Sequence, residues 1–212
     1  MSPGPALTAE DVADLQACVT GGGVAVFPSD TVYGVCCDPN SELAARRLYE
    51  LKGRPPARPA AVMFFSLDAA LNALPELPEV EREALQALLP GPVTLLLANW
   101  ELRFEPACRT DPATLGLRVP ALPESLRALE AMRAPVMQSS ANLSGEPDAR
   151  TLAEVSQSLR DGADLVLDGG ELPGMPSTVI DLRGYAAERS WRLLREGALS
   201  RESVEAALAP LG

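Results

Sequence analysis

Short apolar runs alternate with segments of helical periodicity along the whole chain, and this alternation constrains the fold more than any other feature. Residues 24–27, 61–65, 93–98, 115–119, 135–139, 165–168, 178–182 and 191–194 read as strands. Val12, Leu15 and Val19 recur at helical spacing and are closed by Gly21, Gly22 and Gly23. Ala44, Leu48 and Leu51 mark a second helix, which Pro55 ends. Further helical patterns lie at 67–74 after a Ser66 cap, at 80–88, at 124–132, at 152–159 with a Thr151–Glu154 capping box, and after Ser200. Eight strands and seven helices in mixed order predict an α/β fold with a large, twisted, partly mixed sheet and flanking helices. No repeat or low-complexity linker divides the 212 residues, and the proline clusters at 55–59 and 75–78 read as loops, so a single domain over 1–212 is expected.

Composition narrows the chemistry. The chain has no histidine, and its 18 basic residues are all arginine except Lys52. Ser-His-Asp and Cys-His nucleophile systems and two-histidine zinc helices are therefore excluded. A net charge of −11 argues against a broad nucleic-acid or anionic-membrane surface, while leaving room for a few arginines focused in one cleft. Cys18, Cys36, Cys37 and Cys108 show no CxxC spacing and read as free, largely buried thiols in a reducing cytoplasm. Residues 1–10 lack the basic and apolar regions of a signal peptide. No apolar stretch approaches the roughly 18 residues of a membrane span. A cytoplasmic protein is expected.

Several polar segments sit at strand ends, where open α/β sheets place ligands. Pro28-Ser29-Asp30-Thr31-Val32-Tyr33-Gly34 offers hydroxyls, a carboxylate and a phenol, either as a site or as a self-capped loop. Lys52-Gly53-Arg54-Pro55 closes a helix with two cations that suit a polyanion, or simply a solvated helix C-terminus. The segment from Gln138 to Gly145, rich in hydroxyl and amide groups, can present neutral hydrogen bonds to a triphosphate or adenine, or form a serine-rich turn. It is not a P-loop. Arg118 lies among apolar residues and needs a carboxylate, internal or from a ligand. Ser177 and Arg195 also fall at strand ends, whereas Asp168-Gly169-Gly170 reads as a turn rather than a metal site.

Taken in order, PSDTVYG (28–34), LKGRP (51–55), PGPVTLLL (90–97), LGLRVP (115–120), SSANLSGEP (139–147), DGG (168–170), STVIDL (177–182) and LLREGALS (193–200) resemble the YrdC-like family of threonylcarbamoyl-AMP synthases. The resemblance covers about residues 10–205, with Lys52, Arg54, Ser140 and Asn142 as its signature. It implies a twisted α/β fold with a concave basic cleft. It also implies an enzyme that condenses L-threonine, bicarbonate and ATP, with Mg²⁺, into threonylcarbamoyl-AMP and pyrophosphate. The product would pass to a tRNA threonylcarbamoyl-transferase complex for the t6A modification of adenosine 37, with at most weak direct tRNA contact. By position, Ser29, Arg118, Gln138 and Ser177 would hold threonine. Lys52, Arg54, Pro56, Thr114, Ser140, Asn142, Asp148 and Arg195 would hold ATP, with Lys52 and Arg54 offsetting charge in the reaction.

The family pattern is not matched everywhere. Asp30 stands where Glu is common, Pro176 replaces a Glu, Glu196 replaces a Pro, and Met63 occupies a position that is histidine in some members. Longer members carry an additional C-terminal domain, so the likeness is to the short form. No resident metal site is expected. Two other readings remain at this level: a noncatalytic double-stranded RNA or tRNA-binding module, disfavoured by the acidic charge, and a carbamoyltransferase-type module.

Overall fold

The computed structural model describes residues 5–55 and 57–211. Nine strands form one mixed sheet: β1 (Ala25–Pro28), β2 (Tyr33–Cys37), β3 (Ala61–Met63), β4 (Val93–Ala98), β5 (Thr114–Arg118), β6 (Val136–Ser140), β7 (Leu165–Val166), β8 (Thr178–Asp181) and β9 (Arg192–Arg195). Their order is β7-β1-β2-β6-β3-β5-β4-β8-β9, with parallel pairs at β1/β7, β3/β5 and β4/β8 and antiparallel pairs elsewhere. The helices are α1 (Ala9–Thr20), α2 (Glu42–Lys52), α3 (Leu67–Ala73), α4 (Glu79–Leu88), α5 (Glu105–Cys108), α6 (Gln157–Gly162), α7 (Tyr185–Glu188) and α8 (Arg201–Leu208). None is long and apolar enough to cross a membrane.

Local chemistry explains the main boundaries. Thr8 and Asp11 form a reciprocal capping box on α1, whose Val12, Leu15 and Val19 are buried. Ser41, Ser66, Ser156 and Ser200 cap α2, α3, α6 and α8 through their hydroxyls. Gly53 ends α2 in the left-handed conformation, φ +55°, which a side chain disfavours.

All eight expected strands are present, but β2 is an additional one. The 28–34 segment is therefore not one loop: it turns at 29–32 and re-enters the sheet antiparallel to β1. Every residue of β2 is buried, so no polar alternation marks it, and Gly34 fits there because Phe27 lies across it. The expected helix at 124–132 is a 3₁₀ helix over Glu124–Ala131. That at 152–159 splits into a 3₁₀ turn, Leu152–Glu154, which keeps the Thr151 capping box, and α6, which Ser156 restarts. The one-turn helices α5 and α7 are too short to show periodicity.

Side chains alternate across the sheet. Val62, Phe64 and Met137 pack with α2, α3, α4 and α8 on one face, while Met63, Phe65 and Val136 pack with α1 and Leu126 and Leu129 on the other. The second face is covered only over the β7–β3 side. Along β5, β4 and β8 it exposes Gly116, Leu96 and Val179 in part, which leaves a floor for a site.

One group is out of keeping with the first core. Glu81 of α4 is fully buried, and neither carboxylate oxygen has a hydrogen-bond partner among the described residues. Burial pushes its carboxyl up to about 7. The unfolded carboxyl releases its proton near pH ~4.3, so the folded state holds the extra proton between the two values. Stability should therefore fall as pH rises from about 4.3 to 7, by up to about 3–4 kcal/mol. In Glu81→Gln, urea unfolding should give the same stability at pH 5 and pH 8 as far as this site is concerned. A wild-type loss of equal size in the variant would refute the assignment.

Candidate active site

The turn between β1 and β2 is tied by hydroxyls. Ser29 Oγ donates to Val32 O at 2.7 Å, accepts from Thr31 N at 3.3 Å and lies 3.2 Å from Thr31 Oγ1. This knot aims Asp30 inward, where Arg118 Nη2 donates to its Oδ1 at 2.7 Å and Ala121 N–H to its Oδ2 at 3.2 Å. Arg118, only 4% exposed, thus has an internal carboxylate. Burial raises the Asp30 carboxyl and lowers the Arg118 guanidinium, and each partner opposes the other's shift. Arg118 Nε is buried with no partner among the described residues. Arg118 itself lines the edge of a polar cavity.

Three strand ends meet at that edge. Ser177, entering β8, has its Oγ 2.9 Å from Thr94 Oγ1 of β4. Arg195, ending β9, donates through Nε and Nη2 to Ser177 O at 3.2 and 2.7 Å. Gln138 of β6 lines the same space, and its side-chain amide has no hydrogen-bond partner among the described residues.

The opposite wall comes from the end of α2. Lys52 Nζ donates to Ser140 O, to Asn142 O at 2.9 Å and to Asn142 Oδ1 at 3.3 Å. Asn142 Oδ1 also accepts from Ser140 Oγ at 2.5 Å. The three ammonium protons thus clamp the turn after β6 from behind. Burial and, next, Arg54 lower the Lys52 ammonium from 10.5 to about 8, against the pull of Asp148. Arg54 reaches forward instead, donating to Ser139 Oγ and Pro59 O at 2.7 Å each.

A cavity of about 190 Å³ results, lined by Thr31, Arg54, Thr94, Arg118, Gln138, Ser140, Asp148, Ser177, Val179 and Arg195 among others. It is smaller than the roughly 300–1,000 Å³ that encloses a drug-sized ligand, so it suits an amino-acid-sized group with a larger ligand continuing into the open groove. Of the residues anticipated from sequence, Arg54, Arg118, Gln138, Ser140, Asp148, Ser177 and Arg195 converge on it. Ser29 is buried beneath it, and Lys52 and Asn142 stand behind its wall. Thr114 lies at the far end of β5, where its hydroxyl accepts from Arg183 Nη1 at 3.0 Å. Pro56 lies outside the described residues. Met63 is enclosed in the second core and does not face the cavity.

Other groups take roles that the sequence does not announce. Thr94 is the one polar side chain within the apolar run of β4, which is the signal that points to it. Tyr33 is fully buried: its hydroxyl accepts from Gly169 N–H at 3.0 Å and lies 3.0 Å from Asp168 Oδ1 and 2.9 Å from Gly170 O. It pins the Asp168-Gly169-Gly170 turn, and burial raises its phenol. Among the described residues no cluster of three or more carboxylates and thiols could hold a metal ion. All four cysteines are free.

This geometry has counterparts. Residues 17–197 match the Sua5/YciO/YrdC family model, described as telomere recombination. A threonylcarbamoyl-AMP synthase of Pyrococcus abyssi is 33% identical over 186 residues, which is 87% of this chain and 53% of that protein. One of Chromohalobacter salexigens is 34% identical over 178 residues, 83% of this chain and 95% of its own length. The crystal structure of P. abyssi Sua5 complexed with L-threonine superposes with a TM-score of 0.81 at 29% identity, covering 95% of this chain and 58% of that one. The chain thus spans about half the length of the P. abyssi relative and nearly all of the C. salexigens one.

Proposed function

Because this chain belongs to the Sua5/YciO/YrdC family, we propose that it is an L-threonylcarbamoyladenylate synthase acting on L-threonine, bicarbonate and ATP. The observation that carries the reading is Arg118: a buried guanidinium held by an internal carboxylate that also lines a small polar cavity. A free carboxylate entering the cavity would complete a charge-assisted pair there. The P. abyssi relative of known structure binds L-threonine.

In the proposed reaction the amine of threonine bonds to the carbon of bicarbonate with loss of water, giving an N-carboxylate. An oxygen of that carboxylate attacks the α-phosphorus of ATP, and the bond to the β-phosphate oxygen breaks to release pyrophosphate. No enzyme nucleophile or histidine is needed; the work is to hold anions in line and offset their charge. Arg118 fixes the carboxylate, with Gln138 and Ser177 beside the amine and hydroxyl, and Ser29 shapes the turn beneath. Arg54 and Arg195 flank the polyphosphate, and Ser140 and Asp148 line the nucleotide side, with Asn142 behind them. Lys52 contributes its charge from behind and holds the Ser140–Asn142 turn in place. Arg54, Arg118 and Arg195 on the cavity wall, set against Asp148 there and Asp30 paired to Arg118, would leave a small local excess of positive charge in an acidic protein. Mg²⁺ would arrive on the triphosphate and offset its charge, held mainly by phosphate oxygens and water, since the described residues form no carboxylate cluster for it. The product would feed tRNA t6A synthesis in the cytoplasm.

Pyrophosphate release from ATP, measured with threonine and bicarbonate each omitted in turn, tests the reading. Release should require both. Release that ignores threonine, or that requires carbamoyl phosphate instead, refutes it.

A further inference from the structure

Arg109 is held in an unusual backbone conformation, φ +55° and ψ −117°, which non-glycine residues avoid. The conformation sets its guanidinium over the ring of Tyr49, 4.6 Å from the centroid, while Nη1 bonds both Glu42 carboxylate oxygens at 3.0 Å. Tyr49 itself is 3% exposed, and a second guanidinium, that of Arg54, stands 5.6 Å from its ring centroid. The chain bends around this ring. Arg54 N–H donates to the backbone Tyr49 O at 3.0 Å at the end of α2, and the Tyr49 hydroxyl donates to Arg58 O at 2.5 Å, so the Tyr49 side chain holds the far end of the segment that begins at Arg54. Neither Tyr49 nor Arg109 lines the cavity beside Arg118.

We propose that Tyr49, braced by Arg109, is a positioning residue that orients Arg54 toward the polyphosphate of the nucleotide. Arg54 has four rotatable side-chain bonds and, among the described residues, two anchoring side-chain hydrogen bonds, to Ser139 Oγ and Pro59 O. The ring fixes the plane of its guanidinium from a third direction, which reduces the conformational freedom lost on binding an anion. The strained backbone at Arg109 is then part of the same arrangement, since a relaxed backbone would carry its side chain off the ring.

The inference rests on the assignment of Arg54 to ATP, and the test separates the two. Binding of a non-hydrolysable α,β-methylene ATP with Mg²⁺ is measured by calorimetry for wild type, Tyr49→Leu, Tyr49→Phe, Arg109→Ala, Arg54→Ala and the Tyr49→Leu/Arg54→Ala double variant. Tyr49→Leu should weaken binding about tenfold, and Tyr49→Phe, which keeps the ring, less than about threefold. Threonine affinity should be unchanged. Because Tyr49 acts through Arg54, the double variant should bind no worse than Arg54→Ala alone. Additive losses, equal losses in Tyr49→Leu and Tyr49→Phe, or full affinity in Arg54→Ala would each overturn the proposal. Should Tyr49→Leu fail to fold, Arg109→Ala takes its place in the cycle. It is expected to bind about threefold more weakly and to be silent in the Arg54→Ala background, and an unchanged affinity counts against the proposal. Wild type that binds the analogue without threonine-dependent pyrophosphate release would sink the synthase reading and leave the positioning role standing.

Discussion

Arg118→Ala should abolish threonine-dependent pyrophosphate release and cost about 3–5 kcal/mol of folding stability, since it leaves the Asp30 carboxylate buried without its partner. The two losses have different origins, and a paired substitution separates them. Asp30→Leu with Arg118→Met removes both charges from a site where each is at most 4% exposed along its side chain. Stability should return to within about 1–2 kcal/mol of wild type, as apolar replacements of buried ion pairs commonly do. Activity should stay absent, because the guanidinium that lines the cavity and would meet the substrate carboxylate has gone. Arg118→Lys should hold part of the stability and lose at least about a hundredfold in kcat/KM, since an ammonium cannot bridge Asp30 and a second carboxylate with the same planar fork. Chemical unfolding and the pyrophosphate assay on the same preparations provide the measurement. Recovery of turnover in the double variant would remove Arg118 from the site.

That pair also shows how far the sequence could be read. An arginine inside an apolar strand announces that a carboxylate must be found, but not which one, because Asp30 lies far away in the chain and the β1–β2 turn meets the end of β5 although β6 and β3 stand between β2 and β5 in the sheet. Apolar runs located eight of nine strands, since burial on one or both faces is written in composition. β2 escaped because a fully buried strand containing Gly34 and two cysteines has neither polar alternation nor a purely branched aliphatic run. Helix 152–159 was overrun because Ser156, a second cap inside an otherwise continuous pattern, restarts the helix. In the site, position at strand ends points to Gln138, Ser140, Ser177 and Arg195, and position at a helix end to Arg54, all of which line one cavity. Direction was not legible. The sequence treats Lys52 and Arg54 as two equivalent cations, whereas the left-handed turn at Gly53 sends one side chain behind the wall and the other along it. Tyr33, offered by the sequence only as one phenol of the 28–34 segment, is buried with its hydroxyl spent on the 168–170 turn.

Lys52 is where the second large effect is expected. Lys52→Met should lower kcat/KM by about 10²–10³, the usual result of losing one preorganised charged donor from a site that stabilises developing charge. The variant removes both the charge behind the polyphosphate and the clamp on the Ser140–Asn142 turn. The alkaline limb of the wild-type profile carries the sharper test. As pH rises through about 8 the ammonium loses a proton, and a neutral amine has two N–H groups left for three oxygen acceptors. Activity should therefore fall with a midpoint near 8. Stability should move the other way. An unfolded lysine keeps its proton to about 10.4, so between pH 8 and that value the unfolded state binds more protons and linkage makes the folded state more stable with rising pH, by up to about 3 kcal/mol from this group. Falling turnover with rising resistance to urea across pH 7.5–9.5, both flattened in Lys52→Met, would be hard to obtain from general alkaline unfolding. Parallel loss of activity and stability over the same range would show instead that the limb belongs to another group.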